Sequence, residues 1–153
     1  MTNASTSPSP SPAPALTGRE IGQAQRAIGA LLDRELAAAS LPFADWTILF
    51  TLDASGPLAA DDLVARQVAG LKIPESESRA TLDRMLAGGM LAPEGDRLAP
   101  TAAAEGVFRP IRDRVTRLTV ELYGDLPAED LEATRRTLAE VTRRATAKLA
   151  ELA

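Results

Sequence analysis

The chain has 153 residues, a formal net charge of −4 and 45% hydrophobic residues, a composition typical of one folded domain with room for helical extensions. It has no cysteine and no histidine, which excludes disulfides, Cys/His zinc sites and catalysis by a thiolate or an imidazole. Abundant Ala and Leu with few aromatic residues favour helices over strands. We therefore expect a mainly α protein without a cofactor or metal, and an enzyme is the least favoured function.

Residues 1–15 are rich in serine and proline, and we interpret them as a disordered, polyproline-like tail. They lack the cationic and apolar stretches of a secretion signal, and no apolar run approaches the ~18 residues that cross a bilayer. We expect a cytoplasmic protein.

The first predicted helix begins at Thr17, whose spacing to Glu20 is typical of a capping box. Its apolar stripe continues to about Ala39. Pro42 marks the start of a second helix, which carries an aromatic group at spacings of three and four: Phe43, Trp46 and Phe50.

Two further helices follow at close spacing. The third spans about 60–69 and is expected to point Leu63, Val64 and Val68 inward. Pro74 opens the fourth, which closes at Gly88-Gly89. Its predicted inward residues are Ser78, Leu82, Met85 and Leu86, and its predicted outward residues are Ser76, Arg79, Ala80 and Asp83.

A small β-hairpin is predicted next, with arms at 90–93 and 97–100 around Glu94-Gly95-Asp96. Thr101 then caps a long helix whose apolar positions follow a heptad pattern, which is typical of a helix that packs against a partner. Pro110 is expected to bend this helix. The last helix starts after Leu126, with Pro127 in its first turn. The heptad positions are Ala104, Phe108, Ile111, Val115, Leu118 and Leu122.

This order of elements resembles a winged helix-turn-helix lobe flanked by a dimerisation frame. The stretches LPFADWTILFTLDASGPL, DDLVARQVAG, ATLDRMLAGGML, LAPTAAAEG and DLPAEDLEATRRTLAEV are similar to those of the MarR family of bacterial transcriptional regulators. The resemblance implies a tail at 1–15, an N-terminal dimerisation helix at 16–40, a winged lobe at 41–100 and C-terminal dimerisation helices at 101–153. It also implies a homodimer that binds a double-stranded DNA operator.

The fourth helix is the expected recognition helix. Arg79 has the donors to contact a guanine edge, and Ser76 is placed for a phosphate or a base. The alternative is a solvated face, because residues 41–106 carry ten acidic and five basic side chains, a net charge of −5, which opposes phosphate binding. The short hairpin departs from the family's basic wing and leaves Arg97 as its one cation. The candidate DNA contacts are Arg66, Lys72, Ser76, Arg79, Arg84 and Arg97.

The resemblance also implies a pocket for small aromatic or phenolic anions between lobe and frame, and the candidate ligand residues are Phe43, Trp46, Phe50 and Phe108. The alternative, which we favour for the aromatic group, is core packing. Adjacent acids Asp61 and Asp62 are interpreted as helix caps.

Two arginine clusters follow the lobe. The arginines of the first cluster could contact phosphate or form the wall of a ligand pocket. For both clusters, however, the favoured interpretation is that the arginines form salt bridges. The clusters are Arg109, Arg112, Arg114 and Arg117, and then Arg135, Arg136, Arg143 and Arg144, for which Glu132 and Glu140 are the expected partners.

The sequence therefore predicts a ligand-responsive, homodimeric transcriptional regulator. The alternative is a winged-helix dimer with weak or lost DNA binding that acts as a protein-interaction or small-molecule-binding module.

Overall fold

The computed structural model describes residues 16–152, and the predicted tail at 1–15 lies outside them. The chain divides between Val107 and Phe108 into two compact units. The elements in chain order are α1 (Gly18–Ala38), α2 (Phe43–Ser55), α3 (Ala60–Leu71), α4 (Glu75–Ala87), β1 (Leu91–Glu94), β2 (Arg97–Pro100), α5 (Ala102–Tyr123) and α6 (Ala128–Glu151). The mainly α fold class with one small hairpin is confirmed.

The capping box at the start of α1 is confirmed. The Thr17 hydroxyl accepts a hydrogen bond from the Arg19 backbone N–H, and the Glu20 carboxylate accepts one from the Thr17 backbone N–H at 2.9 Å. These bonds satisfy donors that the first helical turn leaves unpaired. Only Leu36 of α1 is buried. Ile28, which belongs to the predicted apolar stripe, remains exposed, and of the two leucines that could continue the stripe, Leu31 is exposed and Leu32 is half-buried.

The core of the first unit forms where α2, α3 and α4 meet. Trp46, Ile48 and Leu49 supply it from α2 and leave almost no surface exposed. The predicted inward residues of α3 need one correction: Val68 is only half-buried, and Gln67 is buried in its place. Three of the four predicted inward residues of α4 are buried, and the fourth is half-buried: Ser78, Leu82 and Met85, then Leu86.

The turn between α3 and α4 consists of three residues, because α3 runs two residues beyond its predicted end. Lys72 closes α3 in the left-handed region with φ 57°, and Pro74 is the N-cap of α4. Pro42 and Pro127 are also N-caps, so Pro127 lies one position before the predicted first turn. Proline suits the beginning of a helix because its missing N–H would have no partner there.

The wing is a short antiparallel hairpin in which Leu91 pairs with Pro100 and Glu94 with Arg97. Its loop is only Gly95-Asp96, and Gly95 has φ 64°, a conformation that glycine adopts at no steric cost. Leu98 also exchanges two backbone hydrogen bonds with Leu58, at 2.8 and 3.2 Å. This tie, which no local sequence pattern predicts, holds the wing against the segment before α3.

Burial along the predicted heptad positions of α5 falls toward its C-terminal end. Phe108 and Ile111 are buried, Leu118 is half-buried and Leu122 is exposed. The helix is continuous through Pro110, and Thr101 caps it as predicted, accepting from the Ala104 backbone N–H at 3.2 Å. The α6 helix buries none of its residues. Within residues 16–152, no helix has the length and hydropathy to cross a membrane.

Candidate nucleic-acid interface and ligand groove

The outer face of α4 is exposed as predicted. Ser76, Arg79, Ala80 and Asp83 all face solvent, because Ser78, Leu82 and Met85 occupy the opposite side of the same helix in the core. In a helix-turn-helix motif with α4 as its second helix, this arrangement leaves one complete face of α4 free to contact a partner.

Arg79 is the central cation of that face, and two carboxylates already hold it. Its Nε donates to Glu75 Oε1 at 2.8 Å, and its Nη2 donates to Asp61 Oδ1 at 3.0 Å. Glu75 and then Asp61 raise the pKa of Arg79 by stabilising its charged form. The charge of Arg79 is therefore balanced locally by two carboxylates that the sequence does not predict as its partners.

Arg84 has a different environment from Arg79. It forms a two-pronged ion pair with Asp45 on α2, whose side chain is only 4% exposed. The guanidinium itself is about half exposed, but its direction is set by the buried carboxylate. The structure thus gives Arg84 a role in joining α4 to α2, and its predicted DNA contact remains a prediction.

The remaining candidate cations are spread over three places. Arg97 lies at the wing, where it donates to the Pro57 carbonyl at 3.3 Å and approaches Asp96 at 4.0 Å. Lys72 lies at the tight turn between α3 and α4. Arg66 lies on α3 and donates to Ser55 Oγ at 2.9 Å. Within the described part of the chain, Lys72 and Arg66 have no carboxylate within 4.0 Å.

A buried polar network joins the three helices of the lobe. Ser78 on α4 donates to Gln67 Oε1 at 2.7 Å, and Gln67 Nε2 donates to the Ala44 carbonyl at 3.0 Å and to Thr47 Oγ1 at 3.1 Å. Every polar atom of the Gln67 amide is engaged, as a buried amide requires. The network holds α3 and α4 in a defined orientation against α2.

A groove of about 240 Å³ opens between α2 and α3. Trp46 forms its buried wall, and the half-exposed Phe50 lies beside it with ring centroids 5.9 Å apart. Arg66 lines the same groove, so the structure groups this predicted DNA contact with two of the predicted ligand residues. Gln67 also lines it, which links the groove to the network that reaches α4.

The other two predicted ligand residues differ in exposure. Phe43 is 47% exposed at the start of α2, and Phe108 is buried in the second unit. Trp46 is 5% exposed, which agrees with the favoured interpretation that the tryptophan is a core anchor.

The cap assignment of Asp61 and Asp62 is wrong. The N-cap of α3 is Ala59 without a side-chain hydrogen bond, and Asp61 binds Arg79 instead. The predicted salt bridges of α6 are confirmed, since Glu132 pairs with Arg135 and Arg136, and Glu140 with Arg143 and Arg144. Hydrogen bonds from Arg143 and Arg144 lower the pKa of Glu140 to about 2. In the first cluster Arg112 pairs with Asp113 at 3.0 Å.

The sequence matches no protein-family profile and no curated protein. Solved structures, however, resemble the chain over most of its length. Ligand-free NadR has a TM-score of 0.70 at 22% identity and covers 87% of this chain and 98% of its own. A MarR-family transcriptional regulator from Silicibacter pomeroyi has a TM-score of 0.63 at 20% identity, covering 80% and 84% of the two chains. The repressor CouR, bound to p-coumaroyl-CoA, has a TM-score of 0.61 at 20% identity, covering 81% and 91%.

The chain has the MarR-type winged-helix fold. In this fold the predicted recognition helix is α4, and the hairpin β1–β2 is the wing. The residues that the sequence analysis missed in the MarR-type lobe are acidic or amide partners: Asp45, Asp61, Glu75 and Gln67. Gln67 was visible as a polar residue four positions after Leu63 on the buried side of α3.

Proposed function

We propose that this protein is a homodimeric, DNA-binding transcriptional regulator of the MarR type that responds to a small aromatic ligand. The observation that carries the proposal is the free outer face of α4, with Ser76 and Arg79 exposed, in a lobe whose fold matches those of transcriptional regulators. The helix inserts into the major groove of an operator, and a second copy reads the next half-site.

The contacts divide between phosphates and bases. Lys72 is the best-placed phosphate contact, because it has no carboxylate partner within the described residues and lies at the turn before the recognition helix. Arg79 reads a base, and Ser76 reaches the backbone or a base from the first turn of α4. With a lobe charge of −5 and few free cations, we expect modest affinity and a shallow dependence on salt.

Dimerisation is supported by apolar side chains that the described chain leaves in water. Helices α1, α5 and α6 expose large hydrophobic residues, and those of α1 and of α6 recur along one face of the helix, which is typical of surfaces that a partner covers. These residues are Ile28 and Leu31 on α1, Val120 and Leu122 on α5, and Leu138, Val141 and Leu149 on α6.

The ligand of the groove between α2 and α3 is a small aromatic carboxylate. Phe50 offers a face for ring stacking, and Arg66 supplies the countercharge. A structure that shares the fold supports this chemistry, since NadR has been solved with 4-hydroxyphenylacetate, a small aromatic carboxylate. CouR has been solved with p-coumaroyl-CoA, the thioester of an aromatic acid. A ligand that contacts Gln67 would affect α4 through the hydrogen bond that Ser78 donates to Gln67.

A titration of the protein with labelled DNA from upstream of its own coding sequence tests the regulator function. We expect saturable binding at low salt that Arg79→Ala weakens by roughly 1 to 3 kcal/mol, the magnitude for loss of a base contact. Arg136→Ala, which removes an exposed cation of α6 that pairs with Glu132, is the control and should change little. Absence of binding at low salt would reject the proposal.

The acidic lobe supports a second candidate, a winged-helix dimer that binds a protein or small molecule and not DNA. Three of the five lobe cations already approach or contact carboxylates: Arg79, Arg84 and Arg97. In that case Arg79→Ala and Arg97→Ala leave every DNA titration unchanged, while the Phe50 groove still binds its ligand.

A further inference from the structure

We propose that Asp61 sets the DNA selectivity of the recognition helix by competing with guanine for Arg79. The inference rests on the regulator function proposed above. In this proposal Asp61, an acidic residue of α3, controls the contact that Arg79 of α4 makes with a base.

The hydrogen-bonding atoms of Arg79 carry the argument. A guanidinium has five N–H donors, and a two-pronged contact with guanine needs two parallel N–H groups on one edge. Two edges offer such a pair, Nε with Nη2 and Nη1 with Nη2, and both include Nη2. In the structure Nη2 lies 3.0 Å from Asp61 Oδ1 and 2.8 Å from Glu75 Oε1. Both edges are therefore partly occupied.

The two carboxylates act differently because of where they are attached. Glu75 is one turn before Arg79 on α4 and binds Nε as well as Nη2, so it holds the side chain along its own helix. Asp61 reaches from α3 and binds Nη2 alone. Departure of Asp61 frees the Nη1–Nη2 edge for guanine while Glu75 keeps Arg79 in position.

The exchange is accessible because the ion pair faces solvent. The side chains of Arg79 and Asp61 are 50% and 84% exposed, and ion pairs at such exposure are weak. A guanine that offers two acceptors can replace the carboxylate, whereas a base without two acceptors on that edge leaves the Asp61 contact in place. Asp61 thereby lowers the affinity for guanine-containing sites, where its contact with Arg79 must break, and reduces the preference of Arg79 for guanine over other bases.

The experiment compares Asp61→Asn with Asp62→Asn in the full-length protein. Both variants remove one negative charge from the same turn of α3, so both relieve repulsion of phosphates equally, but only the first releases Arg79. Binding is measured on the upstream duplex and on an alternating dA–dT duplex of equal length. Circular dichroism checks that the helix content of each variant is unchanged.

We expect both variants to gain equally on the dA–dT duplex. On the upstream duplex Asp61→Asn should gain a further ~2- to 5-fold over Asp62→Asn, the range set by the strength of exposed ion pairs, and Arg79→Ala should abolish that difference. Equal gains on the upstream duplex, or an extra gain on both duplexes, would overturn the role of Asp61 while leaving DNA binding intact. If the wild type and both variants bind neither duplex, the regulator function fails and the role of Asp61 fails with it.

Discussion

Arg84 on the recognition helix and Asp45 on α2 form a two-pronged ion pair across the lobe, and Asp45 is almost completely buried. A buried carboxylate that loses its partner is left charged in an environment of low dielectric constant. Removing one partner of such a pair therefore lowers the free energy of unfolding by more than the intact pair raises it. The pair therefore fixes how α4 sits on α2.

We expect Arg84→Met to lower the free energy of unfolding by roughly 1 to 3 kcal/mol, because the Asp45 carboxylate loses a charged hydrogen-bond partner. Urea titration followed by circular dichroism measures it. In the double variant with Asp45→Asn, much of the loss should be recovered. Equal losses in the single and double variants would contradict a specific pair.

Gln67 is expected to hold the helix-turn-helix together. Gln67→Ala leaves the buried Ser78 hydroxyl without its acceptor, whereas the Ala44 carbonyl still accepts from Thr47 Oγ1 at 2.8 Å. We expect the free energy of unfolding to fall by roughly 1 to 3 kcal/mol for the unsatisfied hydroxyl. Gln23→Ala, at an exposed position of α1, serves as the matched control and should change stability by less than ~0.5 kcal/mol. Similar losses in both variants would argue against the network.

The groove prediction has an internal probe, because Trp46 is the one tryptophan of the sequence and lines the groove. A small aromatic carboxylate such as benzoate or 4-hydroxyphenylacetate should change the Trp46 fluorescence in a saturable way. Arg66→Ala should weaken this binding ~10-fold or more, the loss for a charge-assisted hydrogen bond of about 1.5 kcal/mol. Arg97→Ala at the wing should leave it unchanged, and equal effects of the two variants would reject the groove.

The predicted dimer depends on the apolar stripe of α6. Val141→Glu places a charge on that stripe, and we expect monomers by size-exclusion chromatography with light scattering, because a buried unpaired charge disrupts an interface. Ala147→Glu introduces the same charge on the opposite face of the helix and should leave the dimer intact. A wild-type monomer at micromolar concentration would contradict the prediction directly.

Acid should weaken α6 through Glu140. Arg143 and Arg144 lower the pKa of Glu140 from 4.5 to about 2 in the folded chain, so the carboxylate stabilises the helix above pH 4.5 and loses this effect as the pH falls toward 2. We expect the thermal midpoint of the wild type to drop over that interval by more than that of Glu140→Gln. Glu121→Gln, an exposed glutamate of α5, should follow the wild type, and parallel curves for all three proteins would exclude the effect.

The order of the elements was predictable because periodicity and start signals act locally. The capping box at Thr17, the cap at Thr101 and the exposed outer face of α4 follow from spacing alone, and the structure agrees. The ion pairs of α6 were also foreseen, since their partners are three or four residues apart.

The pairs that decide the electrostatics of the lobe were not predictable, because they join residues far apart in sequence. Arg84 and Asp45 are separated by 39 positions, and Arg79 and Asp61 by 18. No local pattern predicts such contacts, so the sequence alone predicts a cap at Asp61 and assigns Arg66 and Arg84 to the DNA contacts by their charge. The structure places Arg66 at the groove beside Trp46 and Phe50, and its DNA contact stays a prediction.

The most direct test of the central claim is hydroxyl-radical footprinting of the upstream DNA at low salt. A dimer that presents two α4 helices to successive major grooves should protect two patches on one side of the duplex, about 10 base pairs apart, and Arg79→Ala should weaken both equally. Uniform cleavage with and without the protein, or a single protected patch, would contradict a two-fold symmetric DNA-binding regulator.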